Sequence, residues 1–340
     1  MWAALRLGPR NYGEWIVAEP LVVLLYSPRF IPADVLAYLA DLVPPGFRWL
    51  PVEQGAPLER RQEAFADADY IFAYPGDPSA EELASATHLK LFQLLSAGHD
   101  WLDLDMFRLH GVPVASNGGS NAVSTAEHAV LLMLALVKRL PEHHQATSSG
   151  AWLGMTMTMQ LRELRGRAVG LVGFGHIARH VAHRVRAFDA TVLYTKPARA
   201  ALADEERFAA AYRNLDDLLA ESDIVSLHAP LHAPTRALID ARALARMRPG
   251  TWLVNTARGA LVDESALVDA LVSGHLAGAG LDVFAHEPIE PDSPLLRLRN
   301  VVLTPHIGGA TRDTWTHRMA VAWSNVARIE SALPPIAQIP

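Results

Sequence analysis

The chain has 340 residues, half of them apolar, and carries 30 Lys and Arg against 36 Asp and Glu, for a net charge of −6. That length and apolar content suit a large core divided over two domains, and the acidic balance excludes any general attraction to nucleic acid or to anionic membranes. With no cysteine, disulfides, thiolate zinc sites and thiol nucleophiles are excluded, so chemistry falls to His, Arg, Glu or Asp.

Short runs rich in Val, Leu and Ile alternate with helical stretches, the pattern of βαβ units in an α/β protein with parallel sheets. The first series of predicted strands takes in Leu21–Tyr26, Phe47–Leu50, Tyr70–Ala73, Leu91–Leu94 and Val112–Ala115, with helices such as Ala33–Asp41 and Ser79–Thr87 between them. These make one sheet domain. A long helix is predicted over Val123–Val137, with Ser124, Thr125 and Glu127 as its N-terminal capping chemistry, and it is expected to cross between domains. The longest apolar run, Ala129 to Val137, is far below the roughly 20 residues of a membrane span. The N-terminus shows no basic start followed by an apolar stretch, so the expected location is the cytoplasm.

A second series of strands follows at Ala168–Val172, Thr191–Tyr194, Ile224–Leu227, Thr251–Asn255, Gly278–Leu281 and Val301–Leu303. It makes a second sheet. After Thr311, the residues Trp315, Met319, Ala322, Trp323, Val326 and Ile329 recur at helical spacing, and this last helix is expected to return to the first domain.

The second series opens with "AVGLVGFGHIARHVAHRV", an apolar strand, a glycine turn and a helix. Gly173 allows the tight strand-to-helix turn, and Gly175, followed by His176 and Ile177, lets a pyrophosphate approach the backbone at the positive end of the helix. Ala178 stands where a third glycine often does, which close helix–strand packing tolerates. A glycine turn in this context predicts dinucleotide binding. His176, His180 and His183 fall near one helix face at i, i+4 and i+7, but no further ligand stands at metal spacing. They read as solvated or packed histidines, and no metal is expected.

Three stretches place ionisable groups just after strands, where α/β sheets keep their chemistry: "NTARGALVDESAL", "FAHEP" and "TPHIGG". Arg258, Glu287 and His306 are thereby predicted to converge on one crevice.

These stretches, with "LSAGHDWLDL", "HAPLHAPTRALI", "GAGLDVFAHEP" and "LTPHIGGAT", resemble the D-isomer-specific 2-hydroxyacid dehydrogenases of the glyoxylate/hydroxypyruvate reductase type, over about residues 90 to 315. The resemblance implies two Rossmann-like parallel-sheet domains flanking a cleft: a flavodoxin-like substrate domain of residues 1–118 and 311–340, and a dinucleotide-binding domain of residues 119–310. It implies that Arg258 grips the substrate carboxylate and polarises the keto oxygen, with the amides of Ala97 and Gly98 completing the carboxylate site. His306 would be the acid/base and Glu287 its hydrogen-bond partner. Asp282 would bind the nicotinamide carboxamide with the backbone of Thr256 and Ala257, and His228, Ala229 and Pro230 would border the adenosine. A homodimer is implied as well, with the Met-rich "GAWLGMTMTMQ" around Trp152 as a contact or a core filler, or else, with Tyr74, as part of the pocket wall.

The chemistry agrees. Hydride transfer to a 2-keto acid builds negative charge on the keto oxygen, which calls for a cation and a proton donor. A carboxylate beside the imidazole favours its protonated form and hence reduction near neutral pH. Formate dehydrogenases share the architecture but pair the histidine with glutamine, where this chain has Glu287. A phosphite dehydrogenase and a nucleotide-sensing corepressor keep the same motifs, although the corepressor reading has no disordered partner-binding tail to support it.

In NAD-preferring sites an Asp or Glu stands about 20 residues past the glycine turn. Here Thr195 and Lys196 occupy that place, with Arg199 following, and Asp189 precedes the strand as a turn residue. The expected cofactor is therefore NADP in preference to NAD.

Overall fold

A computed structural model describes residues 19–340. The first sheet contains β1 (Leu21–Tyr26), β2 (Arg48–Glu53), β3 (Tyr70–Tyr74), β4 (Leu91–Leu94) and β5 (Val114–Ala115), in the order β2-β1-β3-β4-β5. The second contains β6 (Ala168–Val172), β7 (Thr191–Thr195), β8 (Ala210–Tyr212), β9 (Ile224–Leu227), β10 (Thr251–Asn255), β11 (Leu276–Leu281) and β12 (Val301–Leu303), in the order β12-β11-β10-β9-β6-β7-β8. Every strand pair is parallel. The first order is flavodoxin-like and the second is that of a dinucleotide-binding sheet, so the α/β class with two doubly wound sheets is as the sequence predicts.

Central strands are apolar on both faces because helices cover both. Val22, Val23, Leu24 and Leu25 are fully buried, and at about 1.5–3 kcal/mol for each such side chain this burial fixes β1 from either side. The Arg312–Glu330 helix lays Trp315, Met319, Ala322 and Val326 against Val22, Leu24, Tyr70 and Phe72 of the first sheet. The Ala122–Val137 helix instead packs Ala129, Leu132, Met133 and Leu136 on the second sheet.

Register places the chemistry. Val172 of β6 is level with Thr195 on one side and Leu227 on the other, so the residues that follow, Gly173, Lys196 and His228, meet where the strand order reverses. Asn255, Leu281 and Leu303 are level in turn. The loops carrying Arg258, Glu287 and His306 therefore leave the same sheet edge side by side.

Several expected boundaries differ. β8 was not predicted, since "AAY" has little strand propensity and is held as an edge by pairing with β7. β2 omits Phe47 and runs on to Glu53 alongside β1, whereas β5 is confined to Val114–Ala115. The long helix starts at Ala122 after Asn121, and no side chain caps it. Ser124 donates instead to the carbonyl of Gly308 at 2.7 Å, and Glu127 pairs with Arg184 at 2.8 Å. What resembled capping chemistry ties this helix to its neighbours.

Candidate active site

His306 follows β12 with a positive φ of 55°, a conformation L-residues adopt only when the surroundings impose it. Its amide donates to the carbonyls of Asp282 (2.8 Å) and Thr304 (3.0 Å). Its Nδ1 lies 2.7 Å from Glu287 Oε2, and Glu287 Oε1 accepts the amide of Phe284 at 3.1 Å. With Nδ1 occupied, Nε2 is the nitrogen left to exchange a proton. Burial raises the Glu287 carboxyl, but the bond and charge of His306, the Phe284 amide and the Arg258 charge outweigh it and hold the group below its usual range.

Arg258 follows β10, and its guanidinium reaches the loop after β4. Nε and Nη2 both stand 2.9 Å from Asp100 Oδ1, and Nη1 donates to the Ala257 carbonyl at 2.8 Å. A Cβ on Gly98 would come within 1.5 Å of Nη2, so only glycine admits the guanidinium there. Arg29, after β1, reaches the Glu287 carbonyl at 3.4 Å. The C-terminal ends of the two sheets thus face each other across a cleft, with His306 44% exposed and Arg258 26% exposed at the side chain.

Asp282 is held from within the protein. Its side chain is 2% exposed; Oδ1 accepts from Thr304 Oγ1 (2.7 Å) and the Ile307 amide (2.9 Å), and Oδ2 accepts from the Gly308 amide (2.8 Å). Burial opposes its charge, yet these bonds and one from His128 hold its carboxyl below the usual range. Asp282 is the buried post on which the His306 loop is built. Ala257 is likewise engaged: its amide donates to Asn255 Oδ1 at 3.0 Å and its carbonyl accepts from Arg258. Thr256 is buried beside it, its hydroxyl without a partner among the described residues.

The glycine turn is built to the expected pattern. Gly173 has φ 97°, its amide donates to the Thr195 carbonyl at 2.9 Å, and a Cβ there would lie 2.5 Å from the His228 carbonyl. Gly175 begins the His176–Arg186 helix with no side-chain cap and no acidic residue in the first turn, and a Cβ on it would meet nothing within 4 Å. Unsatisfied amides at an open, positive helix end suit a pyrophosphate. Ile177 is half-buried behind that end, and Ala178 is fully buried against the sheet. His228 bonds Ser226 Oγ at 2.9 Å, and burial pushes its imidazole down to about 3, so it is neutral; Ala229, half-buried, and Pro230, exposed, follow it in the chain.

Arg199 is engaged by a carboxylate of its own domain. Nε and Nη2 each lie 2.8 Å from Glu205, which also accepts from Tyr194 Oη at 2.6 Å and is held down at about 2 by these two partners. Its charge is already answered. Lys196, half-buried, has no ion pair among the described residues. In the Met-rich segment Trp152, Met155 and Met159 are 85%, 81% and 84% exposed, which excludes a core role, and Tyr74 packs edge-on against Trp315 at 4.9 Å.

Sequence reasoning missed Asp100. It stands within the quoted "LSAGHDWLDL", but Asp103 and Asp105 stand nearby, and only the tertiary approach of Arg258 singles it out.

Comparison with known proteins agrees with this architecture. The family model for the D-isomer specific 2-hydroxyacid dehydrogenase NAD binding domain matches residues 130–308. D-3-phosphoglycerate dehydrogenase of Mycobacterium tuberculosis is 40% identical over 298 residues, covering 86% of this chain and 54% of that protein. The chain thus spans about half the length of these relatives. Glyoxylate reductase of Aeropyrum pernix is 36% identical over 289 residues, covering 83% of this chain and 86% of that protein. Among solved structures, the TT0316 protein from Thermus thermophilus superposes with a TM-score of 0.80 at 33% identity, covering 94% of this chain and 100% of that one. No helix among the described residues is long and apolar enough to cross a membrane. By fold, by the NAD-binding domain match and by these relatives, the chain belongs to the D-isomer specific 2-hydroxyacid dehydrogenase family.

Proposed function

We propose that this protein reduces a small 2-keto acid of the glyoxylate or hydroxypyruvate kind to the D-2-hydroxy acid, with NADPH preferred over NADH. The observation that carries the reading is the His306–Glu287 pair at 2.7 Å, set across the same cleft mouth as Arg258. Residues 119–310 serve as the cofactor domain; residues 1–118 and 311–340 serve as the substrate domain, of which 1–18 lie outside the described residues.

The open helix end at Gly175 and the turn at Gly173 fit a dinucleotide pyrophosphate. When bound, the reduced nicotinamide supplies the hydride. The chain's own residues do the rest. Arg258, aligned by Asp100 and by the Ala257 carbonyl, presents its charge to the substrate carboxylate and to the keto oxygen as negative charge develops there. The amides of Ala97 and Gly98 hold the carboxylate's other side. His306 Nε2 donates the proton to the keto oxygen, and Glu287 stabilises the imidazolium before transfer and orients the ring.

NADPH preference rests on the absence of a carboxylate at the end of β7 and on the Thr195 hydroxyl and Lys196 charge there. Arg199 lends it nothing while paired with Glu205. The exposed Trp152, Met155 and Met159 form an apolar arm suited to a second copy of the chain, which supports a homodimer.

A second reading is favoured by the 40% identity to D-3-phosphoglycerate dehydrogenases: oxidation of a phosphorylated 2-hydroxy acid by the same residues run in reverse. Steady-state rates with glyoxylate, hydroxypyruvate, pyruvate and longer 2-keto acids, and with 3-phosphoglycerate in the oxidative direction, separate the two. The first reading fails if only the phosphorylated substrate turns over.

A further inference from the structure

A cavity of about 450 Å³ opens at the far end of the second sheet from the active site. Thr251 and Val301, the first residues of β10 and β12, line it, whereas Arg258 and His306 follow the last residues of the same strands. At about 3.3 Å per residue, β10 alone sets the two sites some 15 Å or more apart.

Arg139, Arg162, Arg167, Arg248 and Arg299 surround this cavity, against Glu142 and Asp223. Glu142 pairs with Arg139 at 2.7 Å, and Asp223 is shared by Arg167 at 3.5 Å and Arg248 at 3.1 Å. Arg162 donates to the neutral carbonyls of Met159 (2.6 Å) and Leu161 (2.8 Å), and Arg299 has no ion pair among the described residues. Three positive charges are left over, in a chain whose net charge is −6. An adjoining recess shares Arg162 and Arg167 and adds Lys138, Glu163 and Arg165, the last paired with Asp189 at 3.9 Å, so Lys138 extends the cationic rim. Leu136, Trp252 and Val302 give the cavity an apolar wall. Guanidinium groups bind carboxylates and phosphates in bidentate fashion, and the volume is that of a small-molecule site.

We infer that this cavity binds a small polyanion, a molecule carrying two or more carboxylate or phosphate groups. Recognition comes from Arg162 and Arg299, whose charges no carboxylate answers among the described residues, with Arg248 at the shared Asp223 as a further donor. The site is separate from the substrate cleft, so occupancy of one leaves the other open.

Isothermal titration with citrate and with tripolyphosphate tests this, each at constant ionic strength against sodium chloride and with reduced cofactor saturating the Gly173 turn. Wild type is expected to bind at least one of them at one site per chain, and whichever binds identifies the polycarboxylate or the polyphosphate class. Arg162→Gln with Arg299→Gln lowers that affinity at least tenfold while kcat/KM for the keto acid is unchanged. Arg299→Gln alone, at an exposed side chain, shows a smaller loss in the same direction and decides the matter if the double variant is unstable. Binding of neither probe above the chloride control, or equal affinity in the variants, overturns the inference. So does a double variant that sediments as monomer where wild type is dimeric, since the arginines would then be answering carboxylates of a second copy.

Discussion

Asp100 and Arg258 are bonded across the cleft, with Nε and Nη2 of the arginine both 2.9 Å from one carboxylate oxygen. Each belongs to a loop leaving a different sheet, so the pair fixes both the guanidinium and the spacing of the two domains at the reacting end. Replacing Asp100 has two opposed effects: it frees the arginine's charge for substrate and it removes the arginine's anchor. The pair is partly exposed, so the first effect is worth about 1 kcal/mol or less, whereas loss of a charge-assisted, geometry-setting bond costs about 1.5–3 kcal/mol. Asp100→Asn is therefore predicted to lower kcat/KM about tenfold to a hundredfold, mostly through kcat. A steady-state analysis in which KM rises and kcat is unchanged would show that Asp100 does not position Arg258.

The Glu287 carboxyl lies below its usual range, so it is ionised throughout the neutral region and stabilises the protonated imidazole beside it. Glu287→Gln keeps a hydrogen-bond acceptor and removes the charge. The alkaline limb of keto-acid reduction is predicted to move to lower pH, because the negative charge that favours a cationic partner is gone. A pH–rate profile superimposable on that of wild type would exclude the coupling.

Asp282 accepts from a hydroxyl and two amides in the loop that carries His306. In Asp282→Ala those donors are buried without a partner, a change that costs about 3–5 kcal/mol when a buried charged partner is removed, and both stability to urea and activity are predicted to fall together. The folded-state carboxyl is depressed, so its contribution to stability is present above the ordinary carboxylate range and is lost as pH falls through the folded value. Asp282→Asn should accordingly show a flatter decline of the unfolding midpoint below about pH 4. Unfolding curves matching wild type in urea and in acid would remove Asp282 from this role.

Lys196 and Arg199 separate cleanly in their consequences. Lys196→Asp places a carboxylate at the end of β7 and is predicted to shift the ratio of catalytic efficiencies from NADPH towards NADH by tenfold or more, since each charge-assisted bond to a 2′-phosphate is worth about 1.5–3 kcal/mol. Arg199→Ala removes the partner of Glu205 and should leave the ratio near its wild-type value. If wild type favours NADH, or if Arg199→Ala moves the ratio and Lys196→Asp does not, the assignment of the 2′-phosphate site is wrong.

Legibility in the sequence followed the range of the forces involved. Strands such as Leu21–Tyr26 and Ile224–Leu227 were visible because burial on both faces leaves an unbroken apolar run, whereas β8 is three residues held only by its neighbour. The glycine turn was visible because Gly173 and Gly175 answer local backbone demands. Pairings made by the tertiary fold were not: Asp100 with Arg258, and Glu205 with Arg199, join residues whose own segments give no sign of the partner. The sequence marks Asp282 only as a carboxylate at a strand end, without showing that the His306 loop folds back over it.

The most direct test of the account is turnover itself: NADPH consumption by the purified protein with glyoxylate and hydroxypyruvate, in wild type and in His306→Ala. Turnover of about one per second or faster is expected in wild type, with a D-configured product from hydroxypyruvate and at least a hundredfold loss in the variant, in keeping with removal of a general acid. Absence of reduction with every 2-keto acid offered, or full activity in His306→Ala, would contradict it.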